Sequence, residues 1–227
     1  MAISTNPLAW LRSVQPRRAI ALLLLLLPLT VGAQTVRDLW LSMPPSLAPY
    51  LSTSLRTQCL DFYDMHTDAQ TDNALKGKSR IDTLTSTFLA ATLSKAHTLQ
   101  MKLLPAAGSA SSSSLSSCDS VLCVVRSWDG PKRDSEVQLF DRQWKPLQAP
   151  LTFSADSFVC RPDTMSEERF SRLVAMLDPI MFSVSLSPAE NVLLVKLSPV
   201  VPNPGDEKAI EQILVQRKLK WDGKTFK

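Results

Sequence analysis

Motifs that mark catalytic and metal sites are absent from this sequence. The chain has two histidines, His66 and His97, and no G-x-S-x-G elbow, so no serine hydrolase site is indicated. The C-x-x-C spacing of zinc and redox sites does not occur, and neither does an N-x-S/T glycosylation acceptor. We therefore predict no catalytic residue, no cofactor and no metal, and we expect His97 to lie in solvent at a hairpin turn.

A cluster of acidic residues follows the first apolar stripe and is a candidate metal site. Its members are Asp61, Asp64, His66, Asp68 and Asp72. A calcium loop that began at Asp64 would need Gly where Ala69 stands and a bidentate Glu where Leu75 stands. We therefore predict a solvated helix end here rather than a bound ion.

A strong excess of positive charge is also missing. The 25 basic and 21 acidic residues give +4, but three arginines and no acidic residue lie in residues 1–33, which leaves +1 for the rest. No basic stripe with interleaved aromatic residues occurs, so we exclude nucleic acid as a partner.

Residues 1–33 have the pattern of a secretory signal peptide. Three arginines precede an apolar run of 13 residues, which is shorter than the roughly 20 residues of a membrane-spanning helix. Small residues before Gln34 predict cleavage between Ala33 and Gln34, and hence a periplasmic or secreted protein with no transmembrane segment after cleavage. The alternative is an uncleaved anchor, which Pro28 disfavours.

A stretch with the pattern of a β-hairpin occurs twice, at 88–105 and 182–199. Each copy runs from a Phe through a polar turn to Lys-Leu-x-Pro, and apolar residues alternate with polar ones along its strands. We predict two half-buried antiparallel hairpins with equivalent positions. The predicted equivalents are Leu103 and Leu197, both buried, and Lys102 and Lys196, both in solvent.

Two segments have the periodicity of amphipathic helices. The apolar stripe in 54–65 predicts a helix across the first sheet. Residues 164–177 predict a second helix, opened by a capping box of Thr164 and Glu167.

Further strands complete each half of the chain. They are predicted at 121–125 and 136–140, and at 216–221 before a hairpin turn at Asp222-Gly223. The predicted fold class is α+β, with two pseudo-repeated units, each a helix packed on an antiparallel sheet of about four strands.

The predicted organisation is a signal peptide at 1–33, a first α+β unit at 34–148 and a second at 149–227. Residues 106–117 form a Gly/Ser-rich tract that cannot bury enough apolar surface to order itself, so we predict a flexible loop.

Four cysteines follow the predicted cleavage site, and an even number in an exported chain favours disulfides, with three ways of pairing. Cys118 and Cys123 would close a small loop and are the pair that we single out. Cys59 lies on the apolar helix stripe and is alternatively a buried free thiol.

Four short motifs resemble a known family. They are VRDLWLSMP at 36–44, SLxPYL at 46–51, DFYDM at 61–65 and WDGKxF at 221–226. Together they look like an uncharacterised family of small secreted proteins from Bacteroidales, known only as a domain of unknown function. The resemblance implies export across the inner membrane of a didermal bacterium, and it assigns no catalytic residue.

The resemblance gives a second meaning to three Asp-Ser/Thr-apolar triplets, centred on Thr83, Ser120 and Thr164. They are similar to the O-glycosylation acceptors of such bacteria, although turns and caps explain them equally. The repeated plan also looks like the tandem architecture of β-lactamase-inhibitor-like proteins, which is an analogy of fold and carries no function.

We expect an exported, non-catalytic binding protein of the bacterial envelope, whose partner is an unknown protein or envelope component. The outer faces of its sheets would be the docking surface. The alternative is a periplasmic or secreted hydrolase with an unrecognised active site. A deep cleft lined by converging charged groups would favour the hydrolase. A shallow exposed aromatic patch would favour binding.

Overall fold

The computed structural model describes residues 34–106, 120–148, 150–201 and 203–227. Gln34–Lys227 forms one compact unit. The described helices are α1 (Val36–Ser42), α2 (Thr53–Asp64), α3 (Glu167–Ala175) and α4 (Pro204–Glu211), with a 3-10 turn at Ala155–Phe158. The described strands are β1 (Thr71–Asp72), β2 (Lys78–Leu84), β3 (Phe88–Ser94), β4 (His97–Pro105), β5 (Ser120–Asp129), β6 (Arg133–Phe140), β7 (Phe182–Leu186), β8 (Val192–Leu197) and β9 (Arg217–Lys220).

The strands form two antiparallel sheets, which confirms the α+β class. Strands β1 to β6 form a six-stranded meander in chain order, and β7, β8 and β9 form a three-stranded sheet. About four strands were predicted for each unit, and with six and three the repeat is not clearly visible. Strand β2 was not predicted, because KSRIDTL holds only two apolar residues and its alternation is weak.

Helices α1 and α2 cover one face of the six-stranded sheet, as was predicted for α2. A capping box of Thr35 and Asp38 opens α1, so its first N–H groups are satisfied. The Trp40 indole is fully buried and donates to the Arg56 carbonyl at 3.0 Å, which holds α1 against α2. Cys59 and Leu60 of the predicted stripe are buried against this face.

The three-stranded sheet, α3 and α4 cover the opposite face. This second core combines side chains from before and after the predicted unit boundary at 148/149, such as Phe88 and Cys123 with Val184 and Leu193. The first core, by contrast, draws only on residues before that boundary. The six-stranded sheet is therefore buried on both faces.

Helix α3 begins later than the sequence indicated. Its N-cap is Ser166, whose hydroxyl accepts from the Arg169 N–H at 3.3 Å. The predicted capping box of Thr164 and Glu167 is wrong, because Met165 N–H bonds the Pro162 carbonyl in a turn that precedes the helix. The predicted apolar stripe is confirmed, and Leu173 and Leu177 are buried in the second core.

The prediction that Lys102 faces solvent is wrong. Lys102 pairs with Phe88 across β3 and β4, so both side chains point into the second core, and Lys102 is only 2% exposed. Lys196 is exposed as predicted, and Leu197 is buried, whereas Leu103 is half-buried. The alternation of apolar and polar residues predicted the wrong environment for Lys102 because β4 is covered by a packed layer on each face, so polar side chains of this strand are buried as well.

Side chains of the large sheet bind the free edge of β7. Its outward N–H groups at Phe182, Val184 and Leu186 donate to side-chain oxygens of the large sheet. The acceptors are Asp134 Oδ1 at 3.2 Å, Ser135 Oγ at 3.1 Å and Gln100 Oε1 at 2.7 Å, in the same order. An edge that would otherwise offer unpaired groups is thus closed within the protein.

None of the helices in the described ranges is both long and apolar enough to cross a membrane.

Candidate functional site

A polar cleft lies between the C-terminal end of α2 and strand β2. Its volume is about 460 Å³, which falls in the range of small-ligand sites. The floor is formed by Cys59, Ser79 and Ile81, which are buried, and Phe62 forms one wall. We call this space the β2 cleft, and its rim carries His66, Thr67, Asp68, Arg80 and Asp82.

A second candidate surface is the outer face of the three-stranded sheet. Register places Lys196 of β8 and Lys218 and Lys220 of β9 on the face opposite the buried Val195 and Leu193. All three lysines are exposed, so no described element covers them. We call this the lysine face, and it also presents the half-buried Ser183, Ser185 and Leu194.

The lysine face carries positive charge that is only partly neutralised. Lys218 forms an ion pair with Glu190, whose carboxylate also interacts electrostatically with Lys220, whereas Lys196 forms no ion pair among the described residues. Neighbouring positions on adjacent strands of one face are separated by roughly 5 to 8 Å. Lys218 therefore lies within about one Debye length of both Lys196 and Lys220 at physiological salt, and the three charges form one continuous row.

Aromatic side chains cluster where the hairpin turns of the large sheet meet. His97 is 7% exposed, so the prediction that it lies in solvent is wrong. Its Nδ1 is hydrogen-bonded to the Tyr50 hydroxyl, and its ring stacks on Trp128 with centroids 5.1 Å apart. The Arg126 guanidinium lies over the same indole, 5.3 Å from the ring centroid. His97 is buried although it lies at a turn, because Tyr50 and Trp128 pack against its ring.

Burial sets the ionisation of this cluster. Desolvation, aided by the positive charge of Arg126, lowers the pKa of His97 to about 4. Desolvation also raises the pKa of Tyr50 to about 12. His97 is therefore neutral at physiological pH. Trp128, 39% exposed, is the part of the cluster that a partner can reach.

Comparison with protein families identifies the chain. A family model described as "Protein of unknown function (DUF3256)" matches residues 28–226. The chain belongs to the DUF3256 family. A comparison with functionally curated proteins finds no significant match.

A solved structure similar to this DUF3256 chain is a domain of an uncharacterised protein from Porphyromonas gingivalis W83. The two are 23% identical with a TM-score of 0.64, and the match covers 85% of this chain and 98% of the other. At this identity the likeness shows a shared fold, and it brings no activity, because function lies in particular residues rather than in the fold.

The cysteines of the DUF3256 chain are in different environments. Cys59, Cys123 and Cys160 form no disulfide with one another. Cys123 is fully buried, and burial raises its pKa well above the usual range, which makes the thiolate scarce. Cys118 lies outside the described residues, so its pairing with Cys123 stays a prediction. Cys59 is a buried thiol, the alternative that its place on the helix stripe indicated.

The acidic cluster is dispersed in the structure. Asp64 forms an ion pair with Arg37, which lowers the pKa of that carboxyl, while Asp72 pairs with Lys78. In the ranges that the structure covers, no three His, Cys, Asp or Glu side chains come together as metal ligands would. His66 has a positive φ of 52° and lies on the rim of the β2 cleft.

The three O-glycosylation candidates differ in accessibility. Thr164 is exposed in the turn before α3. Thr83 is half-buried beside the β-bulge of β2, and Ser120, also half-buried, accepts a hydrogen bond from Arg142 at 2.8 Å. O-glycosylation at these three residues stays a prediction.

The predicted flexible loop at 106–117 lies outside the described residues, apart from Ala106.

Sequence reasoning missed the β2 cleft, and it indicated only that an outer sheet face would dock a partner, without indicating the lysines. The β2 cleft was missed because residues 73–79, which contain Gly77, were read as a loop and β2 was not predicted. The lysine face requires the β8–β9 register, since Lys196 and Lys218 are 22 positions apart in the chain. Clustering of charge on the short β9 strand, Arg-Lys-Leu-Lys, was the one available signal.

Proposed function

We propose that this protein is an exported, non-catalytic binding module of the bacterial envelope and that its lysine face docks an acidic protein surface. The observation that carries the proposal is the set of three exposed lysines on one sheet face, only one of which forms an ion pair among the described residues. A complementary acidic surface would neutralise these charges and speed the encounter.

A protein partner fits this face better than a lipid surface does. Each lysine near an anionic membrane contributes only about 1 kcal/mol, so three give weak attachment. The face carries serines and the half-buried Leu194, with no large apolar side chain to insert into a bilayer. A sheet face with mixed Ser and Lys is the kind of surface that meets another folded protein.

The export half of the proposal rests on the sequence of residues 1–33. It is supported by a compact unit that begins at Gln34, where cleavage is predicted. The same proposal includes three further expectations from the sequence. They are that the family consists of secreted proteins of Bacteroidales, that the chain contains an internal duplication, and that its fold is similar to tandem β-lactamase-inhibitor-like proteins. Intact mass of the protein from an exporting host should correspond to a chain starting at Gln34. A mass that retains residues 1–33 would contradict export by cleavage.

The docking half is tested by charge reversal. The variant Lys196→Glu/Lys218→Glu/Lys220→Glu is compared with Lys76→Glu/Lys95→Glu/Lys145→Glu, which reverses three exposed lysines elsewhere. Immobilised wild type and control should capture the same envelope protein at low salt and release it as NaCl rises. The lysine-face variant should not capture it.

Three results would contradict the proposal. They are equal capture by both variants, binding to anionic phospholipid vesicles in place of protein, and turnover in a panel of hydrolase substrates. The last would favour the alternative of a hydrolase.

A further inference from the structure

The sheet edges in the described part of the chain are closed in different ways, and the edge of β2 keeps an open position. Leu139 and Val137 of β6 accept from the N–H groups of Leu147 and Leu151 at 3.0 and 2.9 Å. Side chains of the large sheet close β7. Lys220 of β9 exchanges hydrogen bonds with Lys227. These contacts are the usual ways in which proteins prevent pairing with another chain.

Strand β2 is covered by β1 over only part of its length. β1 pairs with Ser79 and Lys78, and the hairpin closes with a bond from Asn73 N–H to the Gly77 carbonyl. Hydrogen-bonding direction alternates along a strand, so the main-chain groups of Gly77, Ser79 and then Ile81 point toward β1. β1 ends before it reaches Ile81.

The far end of β2 confirms this alternation. Beyond the bulge, the outward main-chain groups belong to Leu84, whose N–H donates to the Tyr63 hydroxyl at 3.1 Å. The same hydroxyl donates to the Leu84 carbonyl at 3.4 Å. Ile81 lies between the part covered by β1 and the part covered by Tyr63, so alternation directs its N–H and C=O toward the β2 cleft, which Ile81 lines. We call this pair of groups the Ile81 gap.

We propose that the β2 cleft binds a short extended segment of a partner polypeptide, which pairs through its main chain with the Ile81 gap and lies in line with β1. Main-chain pairing at a sheet edge supplies affinity, while side-chain pockets supply selectivity. The side chain opposite Ile81 meets Cys59 and Phe62, so an apolar residue of moderate size is favoured there. This site is separate from the lysine face and goes beyond the proposed function.

The cleft length limits the segment. The open stretch of β2 between Ser79 and Leu84 spans about five residues, or roughly 17 Å at about 3.3 Å per residue. Only one pair of main-chain groups is free, because Tyr63 already bonds Leu84. A segment of about three residues therefore fits, and its binding is weak unless other contacts of the partner add to it.

The test uses a defined probe, the capped tripeptide acetyl-Ala-Val-Ala-amide, titrated into ¹⁵N-labelled protein of residues 34–227. The expected result is a saturable shift of the Ile81 amide signal and slower hydrogen exchange at Ile81, with Leu84 and Phe182 unchanged. The same peptide methylated on every amide nitrogen cannot donate, and it should leave the Ile81 signal in place.

A paired substitution separates the cleft from the rest of the surface. Ala69→Trp fills the cleft from its rim and should abolish the response, whereas Ala175→Trp, at an exposed alanine of α3, should not. The proposal is overturned if the probe leaves Ile81 unchanged at millimolar concentration. It is also overturned if the methylated peptide acts equally, or if Ala69→Trp still responds.

Discussion

The ammonium group of Lys102 donates to the main-chain carbonyl of Ser187 at 2.6 Å, although the two residues lie 85 positions apart in the chain. It also donates to the carbonyls of Pro188 at 3.0 Å and Glu190 at 2.7 Å. One side chain of the large sheet therefore holds the whole β7–β8 turn. Burial lowers the pKa of Lys102, and the negative charge of Glu190 partly offsets that shift. The cost of desolvating the charge is met by three charge-assisted hydrogen bonds.

Replacing Lys102 should destabilise the fold strongly. Lys102→Met keeps the aliphatic volume but leaves three carbonyls of the turn without their donor, which should cost about 2 to 4 kcal/mol. Lys196→Met, at the exposed position of the second hairpin, should change stability by less than about 0.5 kcal/mol. Urea unfolding midpoints of the two variants provide the measurement. Equal losses would mean that the buried ammonium contributes nothing specific.

Gln100 should protect the edge of β7 at one defined amide. Gln100→Leu removes the oxygen that accepts from Leu186 N–H, and the buried donor left behind should cost about 1 to 3 kcal/mol. Gln138→Leu, at a half-buried position of β6, is the matched control. Hydrogen exchange should accelerate at Leu186 in the first variant only. Unchanged exchange there would show that the edge is closed by other contacts.

Stability should fall as the pH drops from 7 to 5 because of His97. Its pKa is about 4 in the folded protein against 6.5 in an unfolded chain, so the unfolded state binds the proton first. The contribution of neutral His97 to the free energy of unfolding is complete above about pH 6.5 and is lost as the pH falls toward 4. The loss amounts to about 2 kcal/mol by pH 5. Carboxylates with lowered pKa values, such as Asp129 beside Arg133, lose their contribution only below about pH 4.

The His97 effect has a direct control. His97→Gln should flatten the stability profile between pH 7 and 5, whereas His66→Gln, at an exposed histidine, should keep the slope. Chemical denaturation at several pH values measures both. If the free energy of unfolding of His97→Gln still falls between pH 7 and 5, the pH dependence comes from other groups.

The cysteines should react in an order set by burial. Cys160 is exposed and should alkylate rapidly in the native protein, while Cys123 is buried with a raised pKa and should react only after unfolding. Peptide mapping after iodoacetamide treatment gives the order. The same experiment tests the predicted Cys118–Cys123 disulfide, because a bonded Cys123 would resist alkylation even in the unfolded, unreduced protein.

Much of the local structure followed from the sequence. The stripe on α2 and the one on α3 mark helices, because residues at three- and four-residue spacing share a helix face. The turn at Asp222-Gly223 contains residues that suit tight turns, and Gly223 takes a positive φ of 99°. The α+β class follows from these elements taken together.

Other features depend on which layers meet. Period-two alternation shows that a strand has two faces, and it does not show how many of them are covered, so Lys102 was assigned to solvent. The same applies to His97, which lies at a turn but is buried by Tyr50, a residue 47 positions earlier.

The sequence by itself therefore determined helices α2 and α3, the two hairpins and the turn at Asp222-Gly223, because these depend on neighbours within a few residues. Only the tertiary structure decided which polar groups are buried, because the turn that Lys102 holds and the edge that Gln100 closes come from the far half of the chain. The open groups of Ile81 are likewise defined by where β1 ends and where Tyr63 reaches, and the lysine face is defined by the register of β9 on β8.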